Sequence, residues 1–490
     1  MRESGILMHI TSLPGPYGIG AMGKSAYAFV DFLEKAGQSY WQILPLSPTG
    51  YGDSPYQAFS TFAGNHYLID LDALIQEGLL TGEEVNAVSW NDSEERVSFQ
   101  KLFENRLPLL RLAFRRFAPD ESYQSFVAQN EDWLPDYGLF MALKEAFHGR
   151  DWQNWSVSLL MRLPNVLEGY RQELDEEIRF HWFLQYTFFR QWEALRRYAN
   201  GKGIRIIGDV PIYVPLDSAD VWSEPELFLL DKSRRPKLVA GCPPDSFSAD
   251  GQRWGNPIYN WAKMKENGYA WWIRRLTAAA KMYDVVRFDH FRGFESYWAI
   301  PAEEPTAVNG SWQKGPGMDF IGAVQKALPE LRFIAEDLGY VTPEVKQLLE
   351  DSGYPGMKVI QFAFDSREPG DYLPHNYTHN SVCYSGTHDN MTMAQWFQNA
   401  DPKDVADAVA YLKLTLEEGY VAGMIRGAMD SVSKLCVVQL QDYLELGEEA
   451  RMNFPGTLSS ANWTWRATPG SISDTLAERI FAVTERSKRL

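Results

Sequence analysis

Cysteine, positive charge and long apolar runs are all scarce in this sequence. The three cysteines, Cys242, Cys383 and Cys436, are odd in number and far apart. They predict neither a disulfide framework nor a zinc knuckle, and they fit a reducing, cytoplasmic setting. Lys and Arg number 47 against 64 Asp and Glu, a formal net charge of −17. A surface this acidic repels phosphate backbones, so no nucleic-acid partner is expected. No stretch approaches the ~20 apolar residues of a spanning helix, so no membrane partner is expected either. The opening apolar run is too short for a secretory signal and is soon broken by His9 and Pro14. Internal repeats, low-complexity tracts, a P-loop, a dinucleotide glycine fingerprint and a G-x-S-x-G serine elbow are also missing.

The chain of 490 residues is 45 % hydrophobic, which suits one large barrel or two to three domains. Its excess is aromatic: 17 Trp, 24 Tyr and 27 Phe, more than a core alone requires. Short apolar runs recur at Ile6–Ile10, Tyr40–Leu46, Ile204–Ile207, Val285–Phe288, Phe333–Ala335, Val359–Phe364 and Val382–Tyr384, with a weak eighth near Met452–Phe454. Such runs read as strands buried on both faces. Helical patterns separate them. Ala26, Phe29, Val30 and Leu33 follow helical spacing with Gly37 as a stop, and Thr342-Pro343 opens a helix that Gly353 closes. Alternating strand and helix predicts an α/β fold, a (β/α)8 TIM barrel, as a single catalytic domain over 1–490. The wide gap between the second and third strands holds helical patterns at Arg106–Phe117 and Glu177–Tyr198. It predicts a mostly helical insertion over 50–200. A second gap carries Gly241–Asp245 and Gly251–Pro257, whose Gly, Pro and Trp content predicts a structured surface loop over 241–261.

Carboxylates cluster at the ends of these strands: Asp209, Asp289, Glu336, Asp337 and Asp389. Each alone reads equally well as a helix cap or turn residue. At successive strand ends they point into the mouth of a barrel, where such folds keep their active sites. Several carboxylates and no other evident reactive group suit glycoside cleavage, which needs one carboxyl ionised and another protonated. Arg287 stands two residues before Asp289 and shares its face of the strand, favouring the ionised form. Glu336 follows an apolar run, and desolvation keeps such a group protonated, with Asp337 as the rival for that role. Tyr51, Tyr56, Trp254, Tyr259, Trp261, Trp298, Trp463 and Trp465 stand in Gly-, Pro- or Asn-rich segments and predict a groove for sugar rings. His375 and His379 have i, i+4 spacing, but Pro374 and the Asn and Thr between them read as a loop. No metal or cofactor is expected.

Eight segments together resemble one family. They are Gly5–Gly20, Tyr40–Leu71, Gly208–Trp222, Gly241–Trp261, Val286–Gly293, Ala335–Gly339, Gly386–Asn390, and Arg451–Gly456 with Asn462–Arg466. In this order they resemble, nearly end to end, the 4-α-glucanotransferases called amylomaltases or disproportionating enzymes, glycoside hydrolase family 77 of the α-amylase clan. The resemblance implies a retaining transfer of glycosyl segments between α-1,4-glucans and maltooligosaccharides, through a covalent intermediate. It implies Asp289 as nucleophile, Glu336 as acid and then base, and Asp389 as the third carboxylate. Arg287 and His388 match residues that position the nucleophile and bind the same sugar. Tyr56 and Asp209 match donor-subsite residues, Trp254 the loop over the groove, and Asn453 a substrate contact. Cys242 stands where the family pattern has a small aliphatic residue. The nearest alternatives are an α-glucan hydrolase of the same clan and a non-catalytic glycan-binding protein.

Overall fold

The apolar runs fold into strands, though not always where they stand in the sequence. The structure is a computed structural model that describes residues 2–50, 52–90, 92–244, 248–339, 341–367 and 372–490; Tyr51 and Asp245 lie outside the described residues. The strands are β1 (Glu3–Leu7), β2 (Tyr40–Gln42), β3 (Arg205–Val210), β4 (Leu238–Cys242), β5 (Gln252–Pro257), β6 (Val285–Phe288), β7 (Ser296–Pro301), β8 (Ser311–Lys314), β9 (Arg332–Ala335), β10 (Gly356–Val359), β11 (Ser381–Tyr384) and β12 (Leu435–Gln439). Eight of them close a barrel in the order β1-β12-β11-β10-β9-β6-β3-β2. Every pairing in it is parallel. The fold is a (β/α)8 barrel. Ile6, Trp41, Ile206, Val286, Ile334, Met357, Val382 and Val437 are buried in it, as parallel strands covered on both faces require.

The helices form for local reasons visible in the sequence. Lys24–Lys35 buries Ala26, Phe29, Val30 and Leu33 along one stripe, and Gly37 leaves it with φ 66°. Pro343–Ser352 starts where the Thr342 hydroxyl accepts the Val345 amide and ends at Gly353, φ 68°. Between β2 and β3 lie, among others, the helices Phe99–Arg116, Leu134–Ala146 and Asp175–Gly201. The last binds two regions together. Its Gln185 exchanges hydrogen bonds with the Gly64 backbone, and its Trp192 indole donates to Met282 O at 3.1 Å.

Three expectations need correction. The run Val359–Phe364 is mostly a 3-10 turn, Ile360–Phe364, and the strand precedes it at Gly356–Val359. Gly353-Tyr354-Pro355-Gly356 reads as a turn, which hid the strand start. The eighth strand is β12 at Leu435–Gln439, not Met452–Phe454; the latter segment lies at the barrel mouth, where the Asn453 amide donates to His388 O. The 241–261 segment holds the last two residues of β4 and all of β5, strands of an antiparallel sheet ordered β5-β4-β7-β8. β5 (Gln252–Pro257) and β8 (Ser311–Lys314) of this sheet are mostly polar, so no hydrophobic period announced them.

One close approach fixes the active end of β3. A Cβ on Gly208 would lie 2.2 Å from the Tyr283 ring. Gly208→Ala is expected to destabilise the fold by about 1–3 kcal/mol through overpacking. Thermal unfolding checks this, and an unchanged midpoint would refute it.

Candidate active site

The strand register assembles the polar cluster at the barrel mouth. Asp209 on β3 stands directly opposite Arg287 on β6. Arg287 Nη1 donates to Asp209 Oδ2 at 2.6 Å and to Asp289 Oδ1 at 3.0 Å. The guanidinium is 4 % exposed and Asp209 2 %. Burial alone would lower the Arg287 pKa, but Asp209 and Asp289 more than reverse this and push it up. Burial raises Asp209 to about 7 despite Arg287. Asp209 therefore lies beneath the surface of the site, holding Arg287 and the Tyr56 hydroxyl, which donates to it at 2.9 Å. Asp289 is the more open partner, with 28 % of its side chain exposed.

Glu336 follows β9 and faces a different environment. Its Oε2 accepts the His290 amide at 2.6 Å and its Oε1 the Leu338 amide at 3.0 Å. Although its edge reaches the mouth, desolvation raises it to about 8, with Asp289 adding to the rise and Arg287 opposing it. Glu336 is thus protonated at neutral pH. Asp337 turns the other way. It is buried and accepts the Met357 amide at 2.7 Å, and the missing side chain at Gly356 makes room for its carboxylate. Asp337 ties β9 to β10 and is not part of the cluster.

Asp389 and its neighbours form the opposite wall. Asn453 Nδ2 donates to Asp389 Oδ1 at 2.6 Å, and Arg451 Nη2 donates to Asp389 O at 2.7 Å. His388 Nε2 lies 3.5 Å from the same carboxylate. Burial lowers the His388 pKa, with Asp389 opposing, so the imidazole is neutral at pH 7. Tyr56 stacks on His388 at 4.9 Å, and the Trp463 ring lies within 6 Å of both. On the far side, Trp254 of β5 meets His290 edge-on at 4.9 Å, and the Gln252 side chain accepts its indole N–H at 3.1 Å.

Of the nine residues that the family resemblance implies, Asp289, Arg287, Asp209, Tyr56, His388, Asp389 and Asn453 fall in one hydrogen-bonded, ion-paired or stacked assembly; Glu336 and Trp254 form a second group around His290, the residue after Asp289. The aromatic expectation narrows. Tyr56, Trp254 and Trp463 stand at the site. Tyr259, Trp261 and Trp272 instead share a buried aromatic cluster with Phe294 and Phe320, and Trp465 is also buried. Trp298 packs against Trp312 on the small sheet. Gly and Pro neighbours report irregular backbone, not exposure.

Sequence reading missed the brace under the His388–Asp389 turn. Asp442, just past β12, accepts the Ser385 hydroxyl and the Met393 amide, each at 2.6 Å. The Gln439 amide lies against Gly386, where a Cβ would clash at 2.5 Å. The strand-end carboxylate rule finds Asp442 once β12 is recognised. His375 and His379 are structural: His375 Nδ1 meets the Tyr411 hydroxyl at 2.8 Å and His379 Nδ1 the Val432 carbonyl at 3.1 Å.

A family model described as 4-alpha-glucanotransferase matches residues 8–472. The chain belongs to the 4-alpha-glucanotransferase family. It is 49 % identical to the 4-alpha-glucanotransferase of Clostridium butyricum, over 97 % of this chain and 99 % of that protein. It is 48 % identical to the Thermus thermophilus enzyme, over 100 % and 99 %. Among solved structures, amylomaltase from Streptococcus agalactiae, in complex with acarbose, superposes with a TM-score of 0.97 at 43 % identity, covering 100 % of both chains.

The raised Glu336 carries a stability signature. An unfolded Glu titrates near 4.3, while folded Glu336 titrates at about 8. Between these values the folded state holds the extra proton. Its contribution to stability is full below pH 4 and lost as pH rises to about 8. Glu336→Gln removes that contribution. Its melting temperature relative to wild type is expected to shift in the variant's favour from pH 5 to 8. Parallel melting curves across that range would refute the assignment.

Proposed function

We propose that this site cleaves an α-1,4-glucosidic bond and transfers the glycosyl segment to the 4-hydroxyl of a second glucan, by two displacements at the same anomeric carbon. Family membership over nearly the whole chain supports the reaction. The residue roles rest chiefly on one observation, the contrast between Arg287-held Asp289 and desolvated, protonated Glu336.

In the first step Asp289 attacks the anomeric carbon as the bond to the leaving oxygen breaks, and Glu336 gives that oxygen its proton. A β-glucosyl ester on Asp289 results. In the second, the Glu336 carboxylate takes the proton of an acceptor 4-hydroxyl, whose oxygen attacks the same carbon and frees Asp289. Retention follows from the double inversion. Asp389, half exposed and oriented by Asn453, grips sugar hydroxyls beside neutral His388. Tyr56 supplies an aromatic wall for the same ring, and Asp209 acts by holding Arg287 and Tyr56 in place. Donor and acceptor are α-1,4-glucans or maltooligosaccharides, in keeping with the acarbose complex of the Streptococcus agalactiae relative. The helical stretch 50–200 and the strand-bearing segment 241–261, with Trp254, wall the groove and favour a sugar hydroxyl over water. We assign the whole to one catalytic domain, working in the cytoplasm.

Incubation with maltotriose tests the reaction. Glucose and a ladder of longer oligomers are expected at nearly constant reducing ends. Rising reducing ends would turn the assignment to hydrolysis, and no change would leave only binding. Glu336→Gln is expected to lose about 10²–10⁴-fold in rate, and Asp289→Asn several orders of magnitude, with folding intact. The acid must be protonated, so kcat/KM is expected to fall as pH rises through about 8. A flat profile to pH 9 would remove Glu336 from the acid role.

A further inference from the structure

Two of the three cysteines meet in the fold. The pairing of β11 with β12 sets Cys383 directly opposite Cys436. Both are fully buried. Tyr384 reaches across the barrel interior, where its hydroxyl donates to Gln42 Oε1 at 2.9 Å. Alternation along β11 therefore turns Cys383 outward, away from the catalytic groups. There the two thiols hydrogen-bond to each other, and Ser431 bonds Cys383.

Arg489 lies over this pair. Its Nε donates to Met429 O at 2.6 Å, its Nη1 to Glu3 O and Ser433 O at 3.0 Å each, and its Nη2 to Ser431 O at 2.9 Å. The segment Ser487–Leu490 that carries it belongs to no helix or strand. A small oxidant reaches the pair only when this segment opens locally.

We propose that Cys383 and Cys436 form a redox-active dithiol, which a peroxide converts into a disulfide across β11 and β12 and which thereby slows glycosyl transfer. Adjacent strands lie about 4.8 Å apart, inside the ~4.4–6.8 Å Cα window of a disulfide. The Cβ atoms must draw slightly closer than the sheet spacing, which leaves the bond easily reduced and the change reversible. The two thiols share one environment, hydrogen-bonded to each other with Arg489 beside them. Either can attack first. Where Cys436 does so, its sulfur attacks one peroxide oxygen, the O–O bond breaks, and the sulfenic acid forms with release of one water. The Cys383 sulfur then attacks the sulfenic sulfur, giving the disulfide and a second water. Two thiols are oxidised and one hydrogen peroxide is reduced to two waters. The link to function is β11 itself, which leads directly into the turn bearing His388 and Asp389, while β12 leads into Gln439 and Asp442 beneath that turn.

The test uses the full chain with Cys242→Ser, so that the third thiol cannot report. Folded protein is titrated with hydrogen peroxide, alkylated, digested and analysed by mass spectrometry, with maltotriose transfer assayed in parallel. A loss of two mass units, a peptide joining Cys383 to Cys436 and recovery of both thiols in dithiothreitol are expected. Transfer should fall at least threefold in the cross-linked protein and recover on reduction. Both cysteines alkylated as free thiols, or oxidised without a cross-link, would overturn the dithiol. A fully cross-linked protein that transfers at the untreated rate would overturn its control of activity. Cys383→Ala should keep its transfer rate under the same peroxide; a loss equal to that of the parent would place the effect elsewhere. The mass readout does not depend on the proposed catalytic roles, so the two readings fail separately.

Discussion

A guanidinium buried at the end of β6 is the constraint from which the site follows. A positive charge taken out of water is tolerated only when paired and well bonded. Arg287 meets that demand with two carboxylates, Asp209 on the neighbouring strand and Asp289 two residues on. The parallel register that aligns β3 with β6 brings the first, and the two-residue period of a strand brings the second. Asp209 in turn holds Tyr56, whose ring lies on His388. One buried charge thus ties β3, β6, the segment after β2 and the turn after β11 into a fixed arrangement before any sugar arrives.

Three carboxylates of the same chemical type are separated by their surroundings. Asp289 is held by a cation, Glu336 is desolvated and bonded by two backbone amides, and Asp389 is half exposed and oriented by an amide side chain. Asp337, adjacent to Glu336, shows how little sequence proximity decides. One residue of chain turns its carboxylate onto the β10 backbone, where it holds two strands together. The barrel spends that acid on structure and keeps its neighbour for the mouth.

The parts of this arrangement that were legible in the sequence are local. Apolar runs ending in Asp or Glu, the Arg287–Asp289 spacing and the caps at Thr342 and Gly353 all act within a few residues. Family-specific segments added His388 and Asn453, which no local pattern singles out. What stayed hidden depends on partners distant along the chain. β10 begins at a Gly-rich turn and is held by Asp337; β12 was passed over, and with it Gln439 and Asp442. In the small antiparallel sheet, β5 and β8 are mostly polar and carry no hydrophobic period. The aromatics in irregular segments looked like groove residues, yet Tyr259 and Trp465 are buried in the main core and Trp261 packs against it, because an irregular backbone segment can still turn its rings inward.

Cysteine scarcity carries the same lesson further. Counted along the chain, three thiols far apart imply no pairing; folded, two of them share one rung of a barrel. A parallel barrel makes such coincidences consequential, because each strand has a structural outer face and leads at its end to the chemistry. On β11 the outward side chain is Cys383 and the inward one is Tyr384, and four residues later comes His388. The same short strand joins a thiol pair covered by Arg489 to a carboxylate oriented by Asn453. Any force that draws β11 toward β12 acts on a turn already held from below by Asp442 and Gln439. The rigidity that preorganises the sugar site is therefore also what transmits a change made on the outside of the barrel.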